Sequence, residues 1–230
     1  MITTDKCYQN KEWVWGYRET DALGGHDPYS SSKGAAELLI SSYRDSYFPR
    51  DKYSEHKTAI ASVRAGNVIG GGDWADDRLI PDIIRAFQNN EKVVIRNSKS
   101  TRPWQHVLEP LSGYLKLAEQ LEENGGKYAE AWNFGPIEED ARSVQWIVER
   151  LTKLWGGNAG WIDDENRHLH EANYLKLDCS KARMKLHWRP RWDLSQTLLK
   201  IVEWHKLECK KDKCRELCLT QINEYMNTAI

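Results

Sequence analysis

Short apolar runs alternate with helical patterns along this chain, and that alternation limits the possible folds more than any other feature. The clearest run, Ala59-Ile-Ala-Ser-Val63, lies in a strand predicted over residues 57–68, and further strands are predicted over 92–96 and 131–134. A continuous apolar run is typical of a strand that is buried on both faces, as in a parallel sheet. The sequence therefore predicts an α/β fold with parallel strand pairing.

Helical spacing of apolar residues predicts the segments that connect and cover these strands. Ser143 fits an N-cap, and Pro49 would stop the first helix. Three strands form a thin sheet for 230 residues, so we expect the sheet to be incomplete without sequence that precedes residue 1. The predicted helices span residues 28–47, 79–89, 108–122, 143–155 and 194–208.

The charge balance argues against two classes of partner. Lys and Arg number 33 and Asp and Glu number 34, so a net charge of −1 gives no general attraction to nucleic acid or to anionic membranes. The chain has no apolar run of about 18 residues, and its first residues lack the features of a secretory signal. We therefore predict a cytoplasmic protein with no nucleic-acid or membrane partner, whose five cysteines are reduced thiols.

Tyr29 and Lys33 form a Y-x-x-x-K pair at the start of the first predicted helix. A spacing of four puts both side chains on one helix face, one turn apart. A nearby ammonium stabilises a phenolate, which makes the tyrosine usable as a general acid or base. The pair by itself is common, and a solvated helix face would also explain it.

Four further motifs surround this pair in a fixed order. Together with the pair they resemble the extended short-chain dehydrogenase/reductase family, and within it the 4,6-dehydratases of nucleotide sugars, most of all the type that acts on CDP-glucose. The resemblance covers residues 1–207, and each motif alone is weak. The motifs are Thr3-Thr4-Asp5-Lys6, Arg64-Ala-Gly-Asn-Val-Ile-Gly-Gly-Gly-Asp-Trp74, Arg102-Pro-Trp-Gln-His-Val-Leu-Glu109 and Trp132-Asn-Phe-Gly-Pro136.

The resemblance implies catalytic roles for five residues. Tyr29 would take the proton of the sugar 4-hydroxyl while hydride leaves C4 for NAD, and Lys33 would stabilise the phenolate and hold the nicotinamide ribose. Thr4 would hydrogen-bond the 4-oxygen, and Asp5 would protonate the departing 6-hydroxyl. Lys6 stands where many relatives carry a glutamate as the C5 base, so it must be neutral or linked through water to act as a base. For Asp5 and Lys6, a surface ion pair after a strand is the alternative.

The phosphates of a nucleotide sugar need cations and backbone N–H donors. Asn67 and the glycines at 70–72 follow a predicted strand, where backbone donors can meet a ligand. The resemblance implies that Asn67 and Arg102 hold the pyrophosphate and that Arg78 contacts the base or a phosphate. Arg64 is a further candidate cation, although a structural ion pair would also explain it.

Three more side chains remain candidates for the nucleotide side. By resemblance, His170 lies in a segment that closes over the nucleotide, so it is a predicted substrate contact. Trp74 and Trp104 could stack on the base, and packing in the core would explain each equally well.

The C-terminal region contains an H-x3-C-x4-C-x3-C run of zinc-ligand types, formed by His205, Cys209, Cys214 and Cys218. Four ligands along one continuous helix lie too far apart to surround one ion. Apolar residues at helical spacing with His205 favour helix packing instead, and we predict no metal site.

We predict three regions in the chain. Residues 1–70 would be a remnant of a dinucleotide-binding domain, 71–207 mainly a small nucleotide-sugar-binding lobe with 131–136 returning to the sheet, and 208–230 a helical tail. The resemblance implies an incomplete Rossmann-like sheet. The G-x-x-G-x-x-G motif that holds the NAD pyrophosphate has no counterpart in the 230 residues, so NAD is implied without its main binding motif.

Three functions remain open at this point. The chain could bind a nucleotide sugar of the CDP-glucose type without turning it over alone, or it could become active when a separate N-terminal chain supplies the NAD site. It could instead be a structural or interaction protein that kept the fold. An incomplete sheet exposes an edge or an apolar face. The helix with Tyr29 is a typical dimer surface in the family, so we expect a homodimer or a missing N-terminal chain as the partner.

Overall fold

The computed structural model describes residues 1–164, 173–207 and 211–229, in which helices and strands alternate. The α-helices are α1 Pro28–Tyr47, α2 Tyr53–His56, α3 Leu79–Gln88, α4 Leu108–Asn124, α5 Val144–Trp155, α6 Ser180–Leu186, α7 Leu194–Lys206 and α8 Lys211–Asn227. The strands are β1 Ser62–Ala65, β2 Asn67–Ile69, β3 Lys92–Ile95, β4 Thr101–His106, β5 Ala131–Phe134, β6 Ala141–Ser143 and β7 Gly160–Asp163.

Most predicted elements are present with small shifts at their ends. Helix α1 and strand β5 have the predicted bounds, and Ser143 caps α5 by accepting a hydrogen bond from the backbone N–H of Trp146 at 3.2 Å. The strand predicted over 57–68 starts later and is divided into β1 and β2. Strand β4 was not predicted because its sequence, Thr-Arg-Pro-Trp-Gln-His, has no apolar run, although almost all of it is buried.

The chain forms two compact units, each built from separate stretches of sequence. Unit 1 comprises Met1–Gly66, Glu109–Gly135 and Leu175–Pro190. Unit 2 comprises Asn67–Leu108, Pro136–Tyr174 and Arg191–Ile230.

Unit 1 is built around the parallel pair β1 and β5, in which Ser62 lies opposite Ala131. The first residues extend this sheet on the other side of β1, where the N–H of Thr3 donates to the carbonyl of Val63 at 2.8 Å. Trp132 and Phe134 are fully buried beside α6. The parallel pairing confirms the α/β prediction for this part of the chain.

Unit 2 contains two small sheets. Strand β4 pairs parallel with β2 and antiparallel with β6, and β3 pairs parallel with β7. The core of this unit is apolar and includes the fully buried Ile84, Ile147 and Leu198 from α3, α5 and α7. The parallel pairs again agree with the predicted fold class.

The cysteines differ from the prediction at one position. Cys7, Cys179 and Cys218 are free thiols, but Cys214 is disulfide-bonded, so the prediction of five reduced thiols is wrong there. Cys209 lies outside the described residues. Within the described ranges, no three His, Cys, Asp or Glu side chains are grouped as metal ligands, and no helix could cross a membrane.

Candidate active site

The start of α1 is fixed by its cap. Asp27 accepts hydrogen bonds from the N–H of Ser30 at 2.9 Å and from its hydroxyl at 2.6 Å, and these bonds lower the pKa of Asp27. Pro28 occupies the first turn, where its missing N–H costs nothing. Gly25 touches this turn so closely that a Cβ there would lie within 3.0 Å of Ser30. The local sequence therefore determines where Tyr29 enters the helix.

Tyr29 and Lys33 lie on one face of α1, as their spacing predicts. The Lys33 ammonium lies over the Tyr29 ring, 5.3 Å from the ring centroid. Tyr29 is 54% exposed, so a ligand can reach this residue. An exposed phenol with an ammonium over its ring is an arrangement that general acid–base chemistry can use.

The predicted Thr4-Asp5-Lys6 segment forms a tight turn at the end of the first extended stretch. Thr4 caps the short 3-10 helix Asp5–Cys7, and its hydroxyl donates to a carboxylate oxygen of Asp5 at 2.9 Å. Asp5 is 2% exposed, and Lys6 is half-buried. The carboxylate is therefore held in place inside unit 1, which disagrees with the surface ion pair considered as its alternative.

Helix α1 packs directly on this turn at Gly34. A Cβ at Gly34 would lie 3.0 Å from the nitrogen of Gly24 and 3.3 Å from the carbonyl oxygen of Cys7. Gly24 itself donates to that carbonyl at 2.9 Å. Because Gly34 follows Lys33, the close approach brings the Tyr29–Lys33 face of α1 and the Thr4–Asp5–Lys6 turn into the same part of unit 1.

A buried ion pair lies next to this contact. Glu37 of α1 binds Arg64 of β1 at 2.7 Å, and both side chains are almost fully buried. Glu37 also accepts hydrogen bonds from the hydroxyls of Ser62, at 2.8 Å, and Thr3. Burial raises the pKa of Glu37, but the hydrogen bond and charge of Arg64 outweigh it, so the pKa is lowered. Arg64 is thus the structural ion-pair partner, the second of its two interpretations.

The ion pair extends into a buried hydrogen-bond network. Arg64 donates to the hydroxyl of Tyr8 at 2.8 Å, and that hydroxyl donates to Oδ1 of Asn133 at 2.7 Å. Asn133, from the Trp-Asn-Phe-Gly-Pro motif, donates through Nδ2 to the carbonyl of Tyr17 at 2.8 Å. The network connects α1, β1 and β5 with Tyr8 and Tyr17, which follow the turn.

Sequence reasoning did not find this network. The signal that could have revealed it is a pair of opposite charges at buried positions, Glu37 in α1 and Arg64 in the apolar strand β1.

In unit 2, two predicted substrate residues lie on adjacent strands. Asn67 of β2 is opposite Trp104 of β4, and Arg102 lies two residues earlier on β4. Arg102 is 3% exposed and donates to the carbonyl of Thr101 at 3.0 Å. Trp104 is buried and donates through Nε1 to the carbonyl of Arg142 at 3.1 Å, so core packing is the interpretation that fits it.

The third predicted substrate residue of this unit, Arg78, is exposed and precedes α3. All residues from 71 to 78 are exposed, including Trp74. Five predicted catalytic residues therefore lie in unit 1, and Asn67, Arg78 and Arg102 lie in unit 2. The predicted substrate contact His170 lies outside the described residues.

Comparison with known proteins gives consistent matches in sequence. Residues 1–201 match the family model described as GDP-mannose 4,6 dehydratase. The CDP-glucose 4,6-dehydratase of Salmonella typhimurium is 57% identical over 226 residues, which are 98% of this chain and 63% of that protein. The dTDP-D-glucose 4,6-dehydratase of Homo sapiens is 26% identical over 89% of this chain and 55% of its own length. The chain thus spans less than two thirds of these relatives.

Solved structures give the same fold. A dTDP-glucose 4,6-dehydratase from Bacillus anthracis in complex with NAD matches with a TM-score of 0.69 and 19% identity, over 94% of this chain and 63% of that one. A UDP-glucuronic acid 4-epimerase from Bacillus cereus in complex with UDP-glucuronic acid and NAD matches with a TM-score of 0.72 and 21% identity, over 89% and 60%. At these identities the likeness establishes the α/β fold alone.

Proposed function

The chain belongs to the family described as GDP-mannose 4,6 dehydratase, and from this premise we propose that it carries the acid–base and substrate-binding residues of a CDP-glucose 4,6-dehydratase. The observation that carries the proposal is the packing of the Thr4–Asp5–Lys6 turn against the helix with Tyr29 and Lys33. The 57% identity to a CDP-glucose 4,6-dehydratase supports the CDP-glucose type.

The roles of the five residues follow the chemistry of their positions. Tyr29 accepts the proton of the sugar 4-hydroxyl, since this residue is exposed and the Lys33 ammonium lies over its ring. Asp5 protonates the departing 6-hydroxyl, and Thr4 hydrogen-bonds the 4-oxygen and orients Asp5. Lys6 removes the C5 proton, directly when neutral or through water.

The cofactor implied by the family is NAD. An exposed phenol and an ammonium on one helix face suit the hydroxyl groups of a ribose, so Tyr29 and Lys33 fit the nicotinamide riboside. NAD, when bound, supplies a hydride acceptor that later returns the hydride. The 230 residues contain no G-x-x-G-x-x-G motif for the cofactor pyrophosphate. We therefore propose that these residues on their own bind CDP-glucose without turnover, and that an added NAD-binding segment restores it.

The phosphates of the substrate are assigned to unit 2. Arg78 is accessible for a phosphate or the base, whereas Arg102 and Asn67 lie on adjacent strands and suit the pyrophosphate. His170 keeps its predicted role as a residue that closes over the nucleotide.

An apolar surface on unit 1 supports a homodimer. Helix α1 exposes Leu38, Leu39, Tyr43 and Tyr47 to between 50% and 66%. Helix α4 adds the exposed Leu111 and Leu115. Exposed apolar side chains of this size suit an interaction surface, and we propose that a second copy of the chain covers them.

Calorimetry with CDP-glucose, CDP and NAD tests the proposed function. We expect CDP-glucose and CDP to bind and NAD to bind much more weakly. Binding of none of the three would favour the structural or interaction protein. Formation of a 4-keto-6-deoxy sugar after addition of an NAD-binding N-terminal segment would support the enzyme that a partner chain completes.

Replacement of Tyr29 by Phe separates chemistry from binding. In a preparation that turns over, Tyr29→Phe should lower the rate by about 10²- to 10⁴-fold, because the proton acceptor is lost. The affinity for CDP-glucose should stay within about twofold, because the ring remains. Tyr53→Phe is the matched control, because the Lys57 ammonium lies over the Tyr53 ring in the same way, and it should leave the rate unchanged. A Tyr29→Phe variant with a normal rate would remove Tyr29 from the mechanism.

A further inference from the structure

The glycine loop that follows β2, residues 70–74, rests on the indole of Trp204 from α7. A Cβ at Gly71 would lie less than 3.0 Å from Cγ of Trp204, closer than real Cβ atoms come to other atoms. Gly72 has a φ of +80°, and a Cβ there would lie 3.1 Å from Cζ2 of the same ring. Glycine is therefore needed at these two positions by the tryptophan that backs them, independently of any ligand.

Two further contacts hold the same loop. The ring of Trp74 packs edge-to-face on His205, the residue after Trp204, with centroids 4.9 Å apart. Arg85 of α3 donates to the carbonyl oxygen of Trp74 at 2.9 Å and pairs with Asp82. The last turns of α7 and of α3 thus hold the backbone that leads to Arg78.

Trp204 is itself anchored. Its Nε1 donates to the sulfur of Cys218 on α8 at 3.4 Å, and its ring packs against His205 at 4.9 Å between centroids. The indole is a fixed support, whereas the residues from 71 to 78 in front of it are exposed. An exposed loop without such a support would have to be ordered when a ligand binds, at a cost in affinity.

We propose that Trp204 is a positioning residue for nucleotide-sugar binding. Its indole holds the 70–74 loop in the conformation that presents backbone N–H groups and Arg78 to the phosphates of the substrate. The inference rests on the proposed function, because it requires that unit 2 bind the nucleotide part of the substrate. It adds a residue that contacts the loop and not the ligand.

Calorimetry with CDP on the full chain measures the effect of the support. Trp204→Ala should weaken CDP binding about tenfold, the cost of ordering roughly one further residue. Trp204→Phe keeps an aromatic ring behind the glycines and should stay within about twofold of the wild type. Trp155→Ala is the matched control in the same unit, because its ring packs on Phe87 with centroids 5.8 Å apart. It should lower the melting temperature without changing the affinity for CDP.

A double-mutant cycle with Arg78→Ala distinguishes positioning from general stability. If Trp204 positions Arg78, the Arg78→Ala change should weaken CDP binding less in the Trp204→Ala background than in the wild type. Equal effects in both backgrounds would show that Trp204 supports only the fold and would overturn the inference. Gly71→Ala offers a second route if Trp204→Ala does not fold, because its methyl group pushes the loop off an intact indole. It should weaken CDP binding to a similar extent, and unchanged affinity in that variant would also overturn the inference.

The wild type separates this inference from the proposed function. Wild-type chain that binds CDP, together with unchanged affinity in Trp204→Ala, rejects the positioning role and leaves the proposed function intact. Wild-type chain that fails to bind CDP rejects both.

Discussion

The two units bury their titratable groups in different ways. Unit 1 buries charge as a pair, Glu37 with Arg64, and the pair lowers the pKa of the glutamate. Unit 2 buries His106 and His205, whose pKa values fall to about 4 because burial disfavours the imidazolium. One unit therefore keeps internal charge, and the other keeps internal rings neutral.

The buried pair of unit 1 and the neutral histidines of unit 2 support different local structures. In unit 1 the charged pair ties α1 to β1 beside the turn with Asp5, where the proposed proton transfer needs side chains in fixed positions. In unit 2 the neutral His205 is packed between the indoles of Trp74 and Trp204, so a charge there would weaken the support of the glycine loop. A buried charged pair provides alignment in unit 1, whereas the buried His205 of unit 2 supports the loop as a neutral ring.

The largest expected effect comes from breaking the pair in unit 1. Arg64→Met leaves Glu37 buried without its cation and should cost about 3–5 kcal/mol of unfolding free energy. Arg50→Met is the control, because Arg50 lies 3.8 Å from Glu130 with 43% of its side chain exposed, and its loss should cost less than about 1 kcal/mol. Urea unfolding followed by circular dichroism measures both. Similar losses for the two variants would contradict the difference that we draw between paired internal and surface charge.

Acid should affect unit 2 before unit 1. Burial depresses the pKa of His106 and of His205 to about 4, with the charge of Lys200 adding to the effect at His106 and that of Asp73 opposing it at His205. The unfolded chain takes up these protons near pH 6.5, so the stabilisation present above that pH is lost as pH falls towards 4, by up to about 3 kcal/mol per histidine. The pKa of Glu37 is lowered, so its contribution persists down to more acidic pH.

Hydrogen exchange at a series of pH values measures this order. Amides of unit 2 should lose protection between pH 6.5 and 4, and those of unit 1 only at lower pH. His205→Phe keeps a ring between the two indoles and should reduce the acid sensitivity of unit 2, whereas replacement of the exposed His26 should not. Simultaneous loss of protection in both units would show that the buried histidines do not determine the acid sensitivity of unit 2.

The smallest expected effect concerns Asp140 of unit 2. Burial raises the pKa of Asp140 to about 6. The charge of Asp193 also raises this pKa, whereas a hydrogen bond from the backbone of Leu194 lowers it. Its ionised form is therefore unfavourable in the fold at neutral pH, and stability rises as pH falls from 6 towards the unfolded value near 4. Asp140→Asn should stabilise the protein by about 1 kcal/mol at pH 7, after allowance for solvent screening.

Thermal unfolding at pH 7 and pH 4 checks the Asp140 prediction. The gain in stability of Asp140→Asn should be present at pH 7 and absent at pH 4, where the carboxyl of the folded wild type is already protonated. Glu91→Gln, at an exposed position in the same unit, is the control and should give no gain in stability at either pH. A gain that does not change with pH would exclude the titration of Asp140 as its cause.

Local sequence signals predicted the parts of the fold that depend on local spacing. Helix α1 has the predicted bounds because Asp27-Pro28 starts it and the apolar spacing ends before Pro49. The shared face of Tyr29 and Lys33 follows from the helical repeat. Strand β4 could not be predicted in this way, because its burial comes from neighbouring strands and its own residues are mostly polar.

The rest of the candidate site depends on contacts between distant residues. Nothing near Gly34 indicates that it touches Cys7, and nothing near Gly71 indicates Trp204. The resemblance supplied the residues of the turn and of the helix, but the reason for their proximity is the absent side chain at Gly34. The sequence leaves two interpretations of Arg64, and the burial of its partner Glu37 decides between them.

The division of each unit into three stretches of sequence has a consequence for synthesis on the ribosome. Strand β1 cannot pair with β5 until Ala131–Phe134 has emerged, and the core of unit 1 needs α6, which comes later still. Unit 2 likewise needs α7 near the C-terminal end of the chain. Because pairing of distant segments is slow, both units should complete their folding only after these later segments have been synthesised, and until then their apolar strands are exposed to aggregation and to chaperones.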